Sequence, residues 1–124
     1  MRLTISGAQK RVADWVRTTF GEASANEPRE RSLRMLEEAC ELTQAIGVSR
    51  HQAHLVVDYV YNRPAGSAPQ EIAGTLITLL GTSAALDIDT EEAFLLEAGR
   101  IEKPEVLERC RKRQSEKRRA LGVL

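Results

Sequence analysis

Three glutamates at helical spacing are the residues of this sequence that point most directly to chemistry. Glu37, Glu38 and Glu41 lie within the segment LEEACEL, residues 36–42. On a helix, Glu38 and Glu41 are neighbours on one face, and their like charges repel. A divalent cation such as Mg²⁺ would offset this repulsion, because it takes oxygen ligands and keeps water and phosphate oxygens as further ligands. The alternative is a solvated face, because glutamate is a strong helix former and acidic faces are usually exposed.

A second acidic position, Glu71, stands on a predicted helix among small and hydroxyl residues. The opposite side of that helix is apolar, as expected of a side that faces a core. One acid among small residues leaves two interpretations open, which are room for a ligand and close approach of another helix, as in a dimer. The small and hydroxyl residues concerned are Gly74, Thr75, Thr78, Gly81 and Thr82.

The elements that must position these glutamates are helices, because helix-start signals recur along the chain. Ser or Asp followed three residues later by Gln or Glu is the capping-box pattern. It begins at Ser6, Ser24, Ser49, Ser67 and Asp89. With Gly and Pro as breakers, the pattern predicts helices over about residues 6–20, 27–46, 50–62, 68–86 and 90–102, and a basic helix from Pro104 to about Ala120. Strand signals are weak, so the predicted fold class is an all-α bundle of four to five core helices with short connections.

Length, composition and charge limit the classes of function that fit this chain. Its 124 residues, 42% of them hydrophobic and 29% charged, suit one domain with a buried core. The 18 basic and 18 acidic residues cancel, but residues 102–124 carry a net charge of +4 and the remainder carries −4. We therefore expect no nucleic-acid partner for the surface as a whole. No signal peptide and no apolar run of about 20 residues is found, which favours a cytoplasmic protein without a membrane span.

An ordered set of motifs resembles the MazG-like all-α nucleoside triphosphate pyrophosphohydrolases. The set is ERSLR at residues 30–34, LEEACEL at 36–42, DYV at 58–60, RP at 63–64 and EIAG at 71–74. That family carries ExxE on one helix and ExxD on a later one, and the similarity runs from about Trp15 to Arg100. The set resembles a phage-type branch of the family with ExxG in place of ExxD. The resemblance implies a MazG-like helical domain over residues 1–104, completed by oligomerisation, and a basic C-terminal helix or tail over 105–124.

The resemblance also implies an activity and a set of ligands. A MazG-like enzyme is a Mg²⁺-dependent hydrolase, with Mn²⁺ as an alternative metal, that cleaves a (d)NTP to a (d)NMP and pyrophosphate. Its partners are the nucleoside triphosphate and further copies of the chain, in a dimer or tetramer. By correspondence of motifs, Glu38, Glu41 and Glu71 would be metal ligands. Glu37 matches the additional acid of EExxE and would bind a metal or activate water.

One position departs from the family pattern, because the final Asp of ExxD falls on Gly74. Asp58, on the helix between the two motifs, is either a replacement metal ligand or an ordinary exposed acid. Without a replacement, metal affinity and activity would fall. A second hypothesis follows, in which the chain is a catalytically impaired nucleotide-binding or regulatory protein on the same fold.

Two arginines and the single tryptophan complete the set of candidate site residues. Arg34 shares a helix face with Glu38, and it either holds a phosphate oxygen or forms an ion pair with Glu38. Arg63 lies in a predicted loop beside Pro64, where binding residues often occur, and is a second candidate for phosphate. Trp15 is predicted to pack in the core, and stacking on a nucleobase is the alternative.

Overall fold

The computed structural model describes residues 2–122 and confirms the all-α prediction for that range. Seven helices and no β-strand occur among these residues. The helices are α1 (Ile5–Phe20), α2 (Glu22–Ala25), α3 (Pro28–Ile46), α4 (Arg50–Tyr61), α5 (Ala68–Ala85), α6 (Thr90–Ile101) and α7 (Pro104–Ala120).

Local capping chemistry explains where several helices begin. At the start of α4, Ser49 accepts a hydrogen bond from the backbone of Gln52 at 3.1 Å, and the Gln52 side chain accepts one from the backbone of Ser49 at 3.0 Å, which completes the predicted capping box. At the start of α5, Ser67 accepts from the backbone of Gln70. Pro28 is the first residue of α3, where its missing N–H costs no helical hydrogen bond.

Two of the predicted capping residues near the N-terminus are wrong, although the two long helices there begin within one residue of the predicted positions. The cap of α1 is Thr4 instead of Ser6, because the Thr4 hydroxyl accepts from the backbone N–H of Gly7 at 2.9 Å. Ser24 caps no long helix and is instead buried inside the short helix α2, which the sequence patterns missed. Gly21 separates α1 from α2 with a φ of 89°, a conformation that favours glycine.

The described part of the chain divides into two compact units, and each unit contains different helices. The terminal unit consists of residues 2–34 and 91–122, and the central unit consists of residues 35–90. In the terminal unit, Val16, Ala98 and Val106 are buried. Helix α7 packs in this unit against α1. The predicted division of the chain at residue 104 stays a prediction.

The central unit holds the second part of α3 together with α4 and α5, and none of its residues is buried within the chain. Its large apolar side chains are exposed on all three helices. They include Met35, Leu36, Leu55, Val56, Val57, Val60, Ile72, Ile77, Leu79 and Leu80. This unit therefore lacks a hydrophobic core of its own.

No single helix among residues 2–122 is both long and apolar enough to cross a membrane. Helices α5 and α6 meet those criteria only when the two are taken together across the break between them.

Candidate functional site

Three of the candidate acids, Glu37, Glu38 and Glu41, lie on α3. Glu38 and Glu41 are exposed, and Glu37 is half-buried, within the part of α3 that belongs to the central unit. Because α3 is continuous through these positions, the helical spacing places Glu38 and Glu41 on one face, as predicted. Two exposed carboxylates one turn apart offer oxygen ligands that suit a hard divalent cation.

Glu71 is held in the first turn of α5, where backbone geometry directs its carboxylate toward the preceding loop. Its backbone N–H donates to the carbonyl of Ser67 at 3.0 Å. Helical side chains lean toward the N-terminus of the helix, and the helix dipole attracts a negative charge to that end. The Glu71 carboxylate accordingly lies against Gly66, so close that a Cβ placed on Gly66 would be 2.6 Å from Glu71 Oε1.

The loop between α4 and α5 also carries Arg63. The Arg63 guanidinium carbon lies 4.5 Å from the centre of the Tyr59 ring, within the range of a cation–π interaction. Both side chains are exposed, as is Asp58 one residue before Tyr59. Arg63 is thus presented to solvent at the end of α4, and the same loop reaches Glu71 through Gly66.

The donor chemistry suits Mg²⁺, but the described residues of one chain do not assemble a complete site. Among residues 2–122, no group of three or more His, Cys, Asp or Glu side chains is close enough to hold a metal ion. Glu38, Glu41, Glu71 and Asp58 are therefore not brought together as one set of ligands within a single chain. Each of them is exposed, and all lie in the unit that has no core of its own.

The hydroxyl groups of α5 are occupied by their own helix. The side chains of Thr75, Thr78 and Thr82 donate to backbone carbonyls one turn earlier, at 2.7 to 3.0 Å. Gly74 and Gly81 would admit a Cβ without meeting any atom within 4 Å. A helix side with satisfied hydroxyls and two glycines is suited to close approach by another helix, which is one of the two interpretations left open for these residues.

Trp15 belongs to the terminal unit, whereas the candidate acids belong to the central unit. Its indole N–H donates to the backbone carbonyl of Ile101 at 2.8 Å, and its ring meets Phe20 edge-on at a centroid distance of 5.5 Å. These contacts are those of a packing residue. Nucleobase stacking by Trp15 stays a prediction.

A buried carboxylate that sequence reasoning missed ties α7 to α3. Glu30 is 6% exposed, and it accepts two hydrogen bonds from the guanidinium of Arg118, at 3.1 and 3.0 Å, and one from the amide of Gln114 at 2.9 Å. The same Gln114 amide donates to the hydroxyl of Ser24. The hydrogen bonds from Arg118 outweigh the effect of burial and lower the pKa of Glu30 to about 2.

Arg31 and Arg34 both lie on α3 but contact different residues. Arg31 donates to the Ser24 hydroxyl at 3.1 Å, and its guanidinium lies 5.1 Å from the centre of the Phe20 ring. Burial lowers the pKa of Arg31. Arg34 is half-buried and lines a small surface cleft with Glu30, Leu33, Gln114, Lys117, Arg118 and Leu121. Both arginines thus lie in the terminal unit, beside α7.

Comparisons with family models, with curated proteins and with solved structures find no match to this chain. The MazG-like resemblance accordingly rests on the residues and motifs alone. The family and the activity that it implies stay predictions.

Proposed function

We propose that this protein is a Mg²⁺-dependent nucleoside triphosphate pyrophosphohydrolase that converts a (d)NTP to a (d)NMP and pyrophosphate. The observation that carries the proposal is the presentation of exposed carboxylates on α3 and on the first turn of α5 in one unit. Carboxylate pairs are suited to a cation that also takes phosphate oxygens. The order of the acidic motifs along the chain is the second support.

The proposed active form is a homo-oligomer, a dimer or tetramer, in which another copy of the chain covers the central unit. Isolated helices of this length are marginally stable in water, and each square ångström of apolar surface removed from water contributes about 25 cal/mol. The exposed apolar residues of α4 and α5 would supply that surface. Carboxylates from two copies would then complete the set of ligands that a single chain does not assemble.

The residues of this chain have distinct proposed roles toward the substrate. Glu38, Glu41 and Glu71 hold the cation, with Asp58 as a further candidate ligand. Arg34 and Arg63 bind phosphate oxygens through their guanidinium groups. Glu37 accepts a proton from the attacking water. When bound, the cation neutralises charge that develops on the phosphate oxygens.

A pyrophosphate-release assay tests this function directly. The full-length protein is incubated with Mg²⁺ and each of the common ribo- and deoxyribonucleoside triphosphates. We expect release of pyrophosphate, and a loss of at least about 100-fold in Glu38→Gln, since electrostatic stabilisation of that kind is worth a factor of that order. Glu105→Gln, which changes an exposed acid of α7, is the matched control and should retain the rate of the unaltered protein.

Two outcomes would contradict the proposal. One is the absence of turnover with every nucleotide, and the other is equal turnover in the unaltered protein and in Glu38→Gln. Gly74 favours the second candidate function, a nucleotide-binding or regulatory protein of impaired activity, since a glycine supplies no side-chain ligand. Binding of a nucleoside triphosphate without release of pyrophosphate would select that function.

A further inference from the structure

We draw no further inference here: the strongest candidate, the exposed apolar surface of the central unit on α3, α4 and α5, carries nothing beyond the homo-oligomer already proposed, because nothing in the structure shows what covers it.

Discussion

At the scale of single residues, Glu30 is a carboxylate that the terminal unit buries. A carboxylate that is 6% exposed is tolerated only because Arg118 and Gln114 satisfy its oxygens. Removing one partner of such a pair leaves the other as a buried charge without a counter-charge. The resulting loss of stability is larger than the stabilisation that the intact pair provides. Glu30 therefore links the charged C-terminal helix to the start of α3.

The stability of the terminal unit should depend on pH through Glu30. Its pKa falls from an ordinary value of 4.5 to about 2, so the stabilisation is complete above pH 4.5 and is lost as the pH falls through about 2. Near neutral pH we expect Glu30→Gln to lower the free energy of unfolding by about 2 to 3 kcal/mol. Urea titrations from pH 7 to pH 3 should show this difference shrinking below pH 4.5. A difference that is independent of pH would contradict the assignment.

The sequence predicted the caps Ser49 and Ser67, whose partners lie three residues away, but at α1 it predicted Ser6 where Thr4 is the cap. The capping box of Ser49 and Gln52 needs only a three-residue spacing, and it is present. Glu30 was missed because its partners, Gln114 and Arg118, are more than eighty residues away. Ser24 was predicted to be a cap because its pattern is that of one, whereas it is buried and hydrogen-bonded to Arg31, seven residues on, and to Gln114, ninety residues on.

At the scale of elements, α7 is attached to α1 through the end of that helix. The last carbonyls of a helix lack intrahelical donors. Arg111 donates to the carbonyls of Thr18 and Thr19, at 2.8 Å each. The predicted basic tail thus contributes a cation to a helix C-terminus, where positive charge is favourable.

Loss of the hydrogen bonds from Arg111 to α1 should destabilise the terminal unit. A control substitution that changes the net charge by the same amount should not. Arg111→Met removes both hydrogen bonds and should lower the free energy of unfolding by about 1 to 2 kcal/mol. Arg109→Met removes the same charge from an exposed position of the same helix and should change it by less than about 0.5 kcal/mol. Equal effects of the two substitutions in thermal or urea unfolding would show that charge alone matters.

The six long helices of the described residues were predictable because start signals and breakers mark their limits, and their bounds differ from the predicted ones by at most one residue. Helix α2 was not predicted, since four residues are too few to show the periodic pattern of apolar residues that marks a helix. The spacing of Glu38 and Glu41 follows from α3 alone and was predicted. The grouping of those acids with Glu71 depends on contacts between helices, which a linear pattern does not encode and which one chain does not supply.

At the scale of the whole molecule, the two units differ in how they bury apolar surface. The terminal unit has buried residues, while the central unit exposes large aliphatic side chains on α3, α4 and α5. Extensive exposed apolar surface is typical of interaction sites, and the proposed homo-oligomer would use it. The candidate acids lie in the same unit, so assembly and the proposed chemistry are expected to depend on each other.

The mass in solution tests assembly, with two matched substitutions. Ile72 on α5 is 71% exposed and Leu96 on α6 is 70% exposed, but they belong to different units. Light scattering should give a multiple of 13.8 kDa for the unaltered protein. Ile72→Glu should shift the mass toward a monomer, because a buried unpaired charge is costly, whereas Leu96→Glu should not. A monomeric unaltered protein, or equal behaviour of the two variants, would contradict homo-oligomerisation through the central unit.

The contact of Trp15 with Ile101 gives the terminal unit an intrinsic fluorophore of its own. Trp15 is the single tryptophan of the chain, and the two tyrosines, Tyr59 and Tyr61, both lie in the central unit. Its indole is half-buried and hydrogen-bonded, so its emission should move to longer wavelength when that unit opens to water. Emission excited selectively at the tryptophan therefore reports on the terminal unit, because both tyrosines belong to the other unit. Dissociation through the central unit that leaves the terminal unit folded would keep the Trp15 environment in place.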